Sequence, residues 1–372
     1  MTTGTGHVAS YAHGTGAVPL LGETIGANTH HNILNNALLV SGILGYTEAD
    51  RVCVPVPLYH CFGMVMGNLA CSLRGACIVY PEAAFDPLAT LEAMAAERCT
   101  SIYGVLTMFI AELDHPRFSE FDLSSLRTGI MAGSPCPIEV MRRVDSEMGI
   151  EEMTIAFGMT ETSPASTMVR PDDTLEHRCG TVGQAMPHTE IKIVDPVSER
   201  TVGRGEAGEF RTRGYLVMSG YWGEPERTAE AVDSAGWMHT GDLATVDEEG
   251  YVRIVGRIKD MIIRGGENVY PREVEEFLYS HPAVADVQVV GVPDERYGEE
   301  LMAWVIAREG ATVDEDELRE YCRKIARYKI PRYVASCSEF PMTVTGKIQK
   351  HKLRTQAIEK LGLRTAAGVR TA

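Results

Sequence analysis

Between residues 29 and 187, short apolar runs alternate with segments of helical period, and this alternation constrains the fold more than any other feature. "RVCVPVPLY" (51–59) and "ACIVY" (76–80) are short, β-branched and aromatic, as strands are, whereas "PLATLEAMAAERC" (87–99) sets Leu88, Leu91 and Ala95 on one helical face. "THHNILNNALL" opens a helix, with Thr29 as its cap and Ile33, Leu34, Ala37 and Leu38 at helical spacing. Strands interleaved with helices predict an α/β sheet covered by helices. From 189 to 255 the texture changes to "EIKIVD", "GEFRTRG" and "GYVRIVG", strands between Gly-rich turns that predict a small β-rich subdomain.

Residues 261–360 predict a second, smaller α/β unit. "PREVEEFLYSHP" opens with Pro271 in the first turn, places Val274, Phe277 and Leu278 together and stops before Pro282. "TVDEDELREYCRKIARYKIP" has Thr312 and Glu315 at capping-box spacing ahead of a buried stripe of Leu318, Tyr321, Cys322 and Ile325. Between the two units "GRIKD" (256–260) holds one glycine and three charges, the composition of a hinge. Residues 1–28 and the tail 361–372 lack periodicity and are expected to be poorly ordered, which leaves 29–255 as the larger domain.

A net charge of −16 argues against nucleic acid as a partner, because neutralising phosphates needs a basic face. Nine cysteines show no C-x-x-C pair or zinc-ligand spacing and mostly lie in apolar runs, the usage of reduced core thiols. No Lys or Arg precedes Arg51 and no uncharged apolar run reaches membrane-spanning length, so the expectation is a cytoplasmic protein without a membrane span. The first lysine is Lys192 and only seven follow it, so any step needing an ammonium draws on the second half of the chain.

Six stretches then follow in one order: "PLYHCFG" (57–63), "AGSPCP" (132–137), "AFGMTET" (156–162), "GWMHTGDLA" (236–244), "GRIKDMIIRGGENVYPREVE" (256–275) and "PMTVTGKIQK" (341–350). In this order and at these separations they resemble the adenylate-forming superfamily of acyl-CoA synthetases, peptide-synthetase adenylation domains and luciferases. "THHNILNN", "MPHTEIKIVD" and "VMSGYWGEPERTAEAVD" resemble its medium-chain fatty-acyl-CoA synthetases most. The resemblance, over about 29–360, implies a large adenylating domain, here a partial one, and a small mobile C-terminal domain. It also implies an ATP-dependent ligase that joins a fatty acid to CoA through an acyl-adenylate, with Mg2+ holding phosphate charge.

Residue by residue, the resemblance implies that Lys347 bridges the carboxylate and the α-phosphate, and that His60 stands near the reacting carboxylate. Gly133, Ser134 and Pro135 would form one wall of an adenine slot and Phe157, Gly158 and Met159 the other, with Phe157 standing where tyrosine is more usual. Thr160 would meet phosphate, Glu161 the metal, and Asp242 with Arg257 the ribose. Lys259 matches the hinge, and Gly265, Gly266 and Glu267 the pantetheine arm of CoA. Apolar "IYGVLTMF" (102–109), with no aspartate placed for an α-amine, favours a hydrocarbon tail over an amino acid.

One part of the pattern fails. The superfamily carries a Ser/Thr/Gly-rich loop ending in Pro-Lys-Gly shortly before the "HHN" helix, where this chain has "HGTGAVPLLG" and no lysine. The expectation is an N-terminally shortened ligase impaired in adenylation. Two alternatives stand beside it: an inactive remnant that binds AMP, acyl-adenylate or CoA, and an adenylating enzyme that loads a carrier protein. Oligomeric state is not legible.

Overall fold

A computed structural model describes residues 25–133, 138–308, 310–342 and 348–363, with the backbone alone at 8–12. Contacts divide the chain into two units, Met1–Thr240 with Ala244–Ile254, and Gly241–Leu243 with Val255–Ala372.

The first unit is built on a seven-stranded sheet. Its order is Cys77–Val79, Arg51–Cys53, Ser101–Gly104, Thr128–Ala132, Glu152–Gly158, Ala165–Met168 and Gln184–Ala185. The first four pairings along this order are parallel and the last two antiparallel. Successive residues point to opposite faces, and the core divides accordingly. Cys53, Ile102, Met131 and Met153 enter one cluster with Leu91, Phe109 and Val144 from the helices, whereas Val52, Tyr103, Ile130 and Ala156 enter the other. Apolar cover on both faces is what a parallel sheet requires. The predicted strand 51–59 is short, ending at Cys53, because Pro55 and Pro57 cannot donate to a ladder.

Helix His30–Ile43 begins at the expected cap: Asn32 N–H donates to Thr29 Oγ1 at 3.2 Å and Thr29 N–H to Asn32 Oδ1 at 2.7 Å. Its buried stripe differs from the predicted one. Ile33 and Ala37 are buried beside Asn32, Asn36, Val40 and Ser41, while Leu34 and Leu38 are exposed. The asparagines set the helix rotation. Asn32 Nδ2 donates to the carbonyls of Tyr215 and Val217, and Asn36 donates to Ala165 O at 2.9 Å and accepts from Ala165 N–H at 3.2 Å.

The β-rich stretch forms a four-stranded sheet in the order Thr189–Val194, Gly208–Gly214, Met238–Val246, Val252–Arg257. Residues 1–28 are not uniformly without order: Val8–Ala12 and Ile25–Thr29 pair antiparallel, and Gly220–Tyr221 pairs on the other side of Ile25–Thr29. This strand is fixed by a partner almost two hundred residues away, which local periodicity cannot report.

In the second unit, Gly298–Ala307 pairs with Val284–Asp294, with Tyr333–Ser336 and, at one position, with Ile262–Arg264, which in turn pairs with Glu267–Val269. Helices Pro271–Tyr279, Glu315–Tyr321 and Lys350–Leu361 belong to this unit. Val274 and Leu278 are buried as predicted, and so are Leu318 and Cys322, with Tyr321 and Ile325 only half-buried. The second of these helices starts later than expected, because Asp314, not Thr312, is its cap and accepts from Glu317 N–H at 2.8 Å. All eight described cysteines are free thiols, and among the described residues no helix is long and apolar enough to cross a membrane.

Candidate functional site

Strand order in the seven-stranded sheet reverses between Arg51–Cys53 and Ser101–Gly104, since the chain leaves the first of these for Cys77–Val79 on one side and then crosses to the other. In such sheets ligands bind beyond the carboxyl ends of the strands near the reversal. Three of the motif segments begin there: "HCFG" after Arg51–Cys53, "AGSPCP" through its described residues Ala132 and Gly133 at the end of Thr128–Ala132, and "MTET" after Glu152–Gly158. The last two strands are neighbours, with Ala132 opposite Ala156. Gly133 leaves its strand with φ +91°, and Val105 Cγ1 lies 3.4 Å from where a Cβ would be. Ser134 and Pro135 lie outside the described residues.

The turn after Gly158 is tightly specified. A Cβ on Gly158 would stand 1.8 Å from Pro164 O, so glycine is demanded by the fold of the turn itself, whatever ligand approaches. Thr162 Oγ1 accepts from Met159 N–H at 3.1 Å, and Ser163 takes φ +71°. Asn28 donates to Thr160 O at 2.9 Å, Ser163 Oγ reaches Leu216 O at 2.7 Å, and Met218 N–H donates to Glu161 O at 2.9 Å. Asn28 and Leu216 lie outside every motif quoted above, and Met218 lies in "VMSGYWGEPERTAEAVD" with no role assigned to it there. The one available signal is an asparagine within an otherwise small, apolar run, "IGANT".

Glu161 is 6% exposed. Its Oε1 accepts from Tyr221 O–H at 3.0 Å, and its Oε2 has no hydrogen-bond partner among the described residues. Burial, and then the neighbouring Glu161 charge, push the Tyr221 hydroxyl well above its ordinary range. A buried carboxylate oxygen without a donor is costly unless a cation meets it, and oxygen is the ligand that Mg2+ takes. Thr160 is also buried, and its Oγ1 lies 3.8 Å from Cys61 Sγ. Next to Cys61, His60 Nδ1 accepts from Phe62 N–H at 3.1 Å, so the neutral ring carries its proton on Nε2.

Phe157 is half-buried and meets Phe210 edge-on, with centroids 5.5 Å apart, beside Ile193, Ala244 and Val252. In the apolar segment 102–109, Ile102, Tyr103 and Phe109 are fully buried in the two cores. Val105, Leu106 and Met108 are only partly covered. A cleft of ≈ 630 Å³ lies elsewhere, between Cys77–Val79 and the helix Pro87–Ala96, and contains none of the motif residues.

In the second unit, Arg257 Nε donates to Asp242 Oδ1 at 2.9 Å; Asp242 is buried and the Arg257 side chain is half exposed. Lys259 is exposed in the single turn Ile258–Asp260. Gly265 and Gly266, at φ +61° and +89°, form the two-residue turn of the hairpin whose second strand begins at Glu267. Consecutive positive φ values are the geometry of a type I′ turn, which few other residue pairs adopt. Lys347 lies outside the described residues. The ends of its segment meet in an isolated bridge between Met342 and Ile348, Gln349 N–H donates to Pro341 O at 2.8 Å, and Lys350 Nζ is held by Glu275 and by Val289 O.

This arrangement, an α/β sheet with motif loops at its carboxyl edge and a separate small α/β unit, is that of an adenylate-binding protein. The sequence profile of the AMP-binding enzymes matches residues 27–222, and that of the AMP-binding enzyme C-terminal domain matches 273–347. The chain belongs to the AMP-binding enzyme family. Over 336 residues it is 55% identical to the putative acyl-CoA synthetase YngI of Bacillus subtilis, covering 90% of this chain and 61% of that one. It is 48% identical over 338 residues to the mitochondrial medium-chain acyl-CoA ligase ACSF2 of Danio rerio, covering 90% of this chain and 56% of the relative. Among solved structures, ATP-bound MatB from Rhodopseudomonas palustris superposes with a TM-score of 0.85 at 29% identity, covering 95% of this chain and 68% of the other. The chain thus spans rather more than half the length of these two sequence relatives.

Proposed function

We propose that this chain is an AMP-forming fatty-acid–CoA ligase with medium-chain preference, in which the thioester step survives and adenylation is impaired. The observation that carries the reading is the buried Glu161 oxygen that has no donor among the described residues, inside a turn fixed by Asn28, Gly158 and Ser163 at the carboxyl edge of the sheet. Glu161 would hold the magnesium that accompanies the nucleotide; the ion neutralises phosphate charge. Phe157 and Met159 with Gly133, Ser134 and Pro135 would border the base, and Thr160 would donate to phosphate.

In the second unit, Asp242 accepts from ribose hydroxyls while Arg257 holds the carboxylate in place. Lys347 meets the charge that grows at the α-phosphate, and Gly265–Glu267 present an exposed backbone to the pantetheine arm. Lys259, in "GRIKD", is where the chain turns between the two half-reactions. His60 orients the acyl carboxylate through Nε2–H, its other nitrogen being engaged by Phe62. Val105, Leu106 and Met108 favour an aliphatic tail, which accords with the medium-chain substrate named for the relative from Danio rerio.

Synthetic octanoyl-AMP with CoA is expected to give octanoyl-CoA, and octanoate to compete for binding more strongly than any amino acid. A faster reaction with a phosphopantetheinyl carrier would favour carrier loading instead. Absence of product from both acceptors, with AMP still bound, would identify an inactive remnant.

A further inference from the structure

The hairpin Ile262–Val269 is weakly joined to its sheet. Its first strand meets Gly298–Ala307 at one position, Arg264 opposite Gly298, supplemented by Gly265 N–H donating to Tyr297 O at 2.8 Å and Ile263 N–H to Glu299 Oε2 at 3.0 Å. Its turn, Gly265 to Glu267, is exposed. A two-stranded ribbon of this length is marginal without further attachment.

Ile262 and Val269 anchor its strands in the core of the unit, where both are buried beside Val274, Leu278 and Leu301; beyond them, the turn end is tied by one guanidinium. Arg264 Nη2 donates to Glu300 Oε1 at 2.8 Å, and Glu300 is 1% exposed. Nη1 faces three carbonyls of one short segment: Tyr328 O at 2.9 Å, Arg327 O at 3.3 Å and Ile330 O at 3.4 Å. The same group stands 5.5 Å from the centroid of the Tyr297 ring. A planar fork can serve a carboxylate with one arm and a set of carbonyls with the other; an ammonium is a single point and cannot.

We infer that Arg264 is a positioning residue for the thiol acceptor: it ties the Gly265–Gly266 turn to the segment 327–330 and so fixes where that turn meets CoA. The inference rests on the role proposed above for the turn. The partners are distant in sequence, so Arg264 determines the turn's place without touching substrate.

The full chain is compared with Arg264→Lys, which keeps a cation for Glu300 and loses the fork. Arg319→Lys serves as control, since Arg319 pairs with Asp316 at 3.1 Å within its own helix Glu315–Tyr321. In Arg264→Lys, amide exchange should quicken roughly tenfold in peptides covering 261–269 and 325–332, and not elsewhere. The KM for CoA should rise roughly 10- to 100-fold with octanoyl-AMP as co-substrate, while the KM for octanoyl-AMP stays unchanged. Arg319→Lys should do neither. In the unmodified protein, the turn end 264–266 and the segment 327–330 should show protection factors within about threefold of each other, because Arg264 links them. Unchanged exchange in Arg264→Lys, or unrelated protection of the two segments, would overturn the tie. Quickened exchange with an unaltered KM for CoA would overturn the positioning role. If the unmodified chain makes no octanoyl-CoA at all, the ligase reading fails, and the exchange arm still decides the tie.

Discussion

Glu112, near the end of the helix Leu106–Leu113, is 1% exposed, and neither carboxyl oxygen has a hydrogen-bond partner among the described residues. Burial alone pushes its carboxyl well above the usual range. Deprotonation is therefore penalised in the folded chain and not in the unfolded one. The folded state holds the proton where the unfolded state has lost it, so stability is fullest below the unfolded pKa and falls as pH rises beyond it. The slope is about 1.4 kcal/mol per pH unit for one proton, until the folded group also ionises. Glu112→Gln keeps the shape and removes the titration. The variant should match the parent near pH 4.5 and become progressively the more stable towards pH 8; urea unfolding that runs parallel for the two proteins across that range would disprove it. Such a residue is hard to read from sequence, because glutamate in a helical pattern is ordinarily assigned to the solvated face. Glu161 is the contrasting case: its place in "AFGMTET" marks it, although nothing in the sequence tells that Tyr221 occupies one of its oxygens while the other has no partner among the described residues.

Among elements, the turn that follows Glu152–Gly158 makes the sharpest stability prediction. A Cβ at position 158 would require the Pro164 backbone to move, so Gly158→Ala should cost about 1–3 kcal/mol and weaken AMP binding. Gly256 provides the comparison, because a Cβ there would meet nothing within 4 Å among the described residues and its φ is not positive. Gly256→Ala should change stability by no more than about 0.5 kcal/mol. Equal urea midpoints for the two variants would show that the turn relaxes freely. Element existence is readable because local pattern produces it: the strand at 51, the helix at 87 and the helix opening on Pro271 all appear where period and proline place them. Rotation and exact start are not. Asn32 and Asn36 turn their helix by bonding to Tyr215, Val217 and Ala165, and Asp314 takes the cap that Thr312 offers by spacing. Long-range hydrogen bonds decide the rotation and the choice of side-chain acceptor decides the cap, and neither leaves a local period.

At the scale of the whole molecule, the contacts part at Ile254–Val255, just before "GRIKD", where Arg257 and Lys259 are both exposed. Limited proteolysis should cut within 256–260 and release a stable fragment beginning near Met261; protection of this segment equal to that of the strands beside it would refute a hinge. On the function proposed above, adenylation and thioester formation make different demands on this chain. Adenylation needs the distal phosphates held while pyrophosphate departs, and no Pro-Lys-Gly loop precedes His30 in these 372 residues. Misplaced reacting groups can lower a rate roughly 10²-fold, and loss of one electrostatic stabiliser about 10²–10³-fold. Thioester formation from preformed acyl-AMP makes no demand on the distal phosphates. The purified chain should therefore show little ATP–pyrophosphate exchange, yet convert octanoyl-AMP and CoA to octanoyl-CoA. Lys347→Ala should leave this second activity nearly unaltered, because its proposed task ends once the adenylate exists. Asp242→Ala should weaken it through a raised KM for octanoyl-AMP, since it removes the proposed acceptor for ribose and the 2.9 Å carboxylate contact with Arg257. Robust exchange by the unmodified chain would mean that other residues hold the distal phosphates, and a Lys347→Ala variant as impaired in thioester formation as in adenylation would place that lysine in both steps.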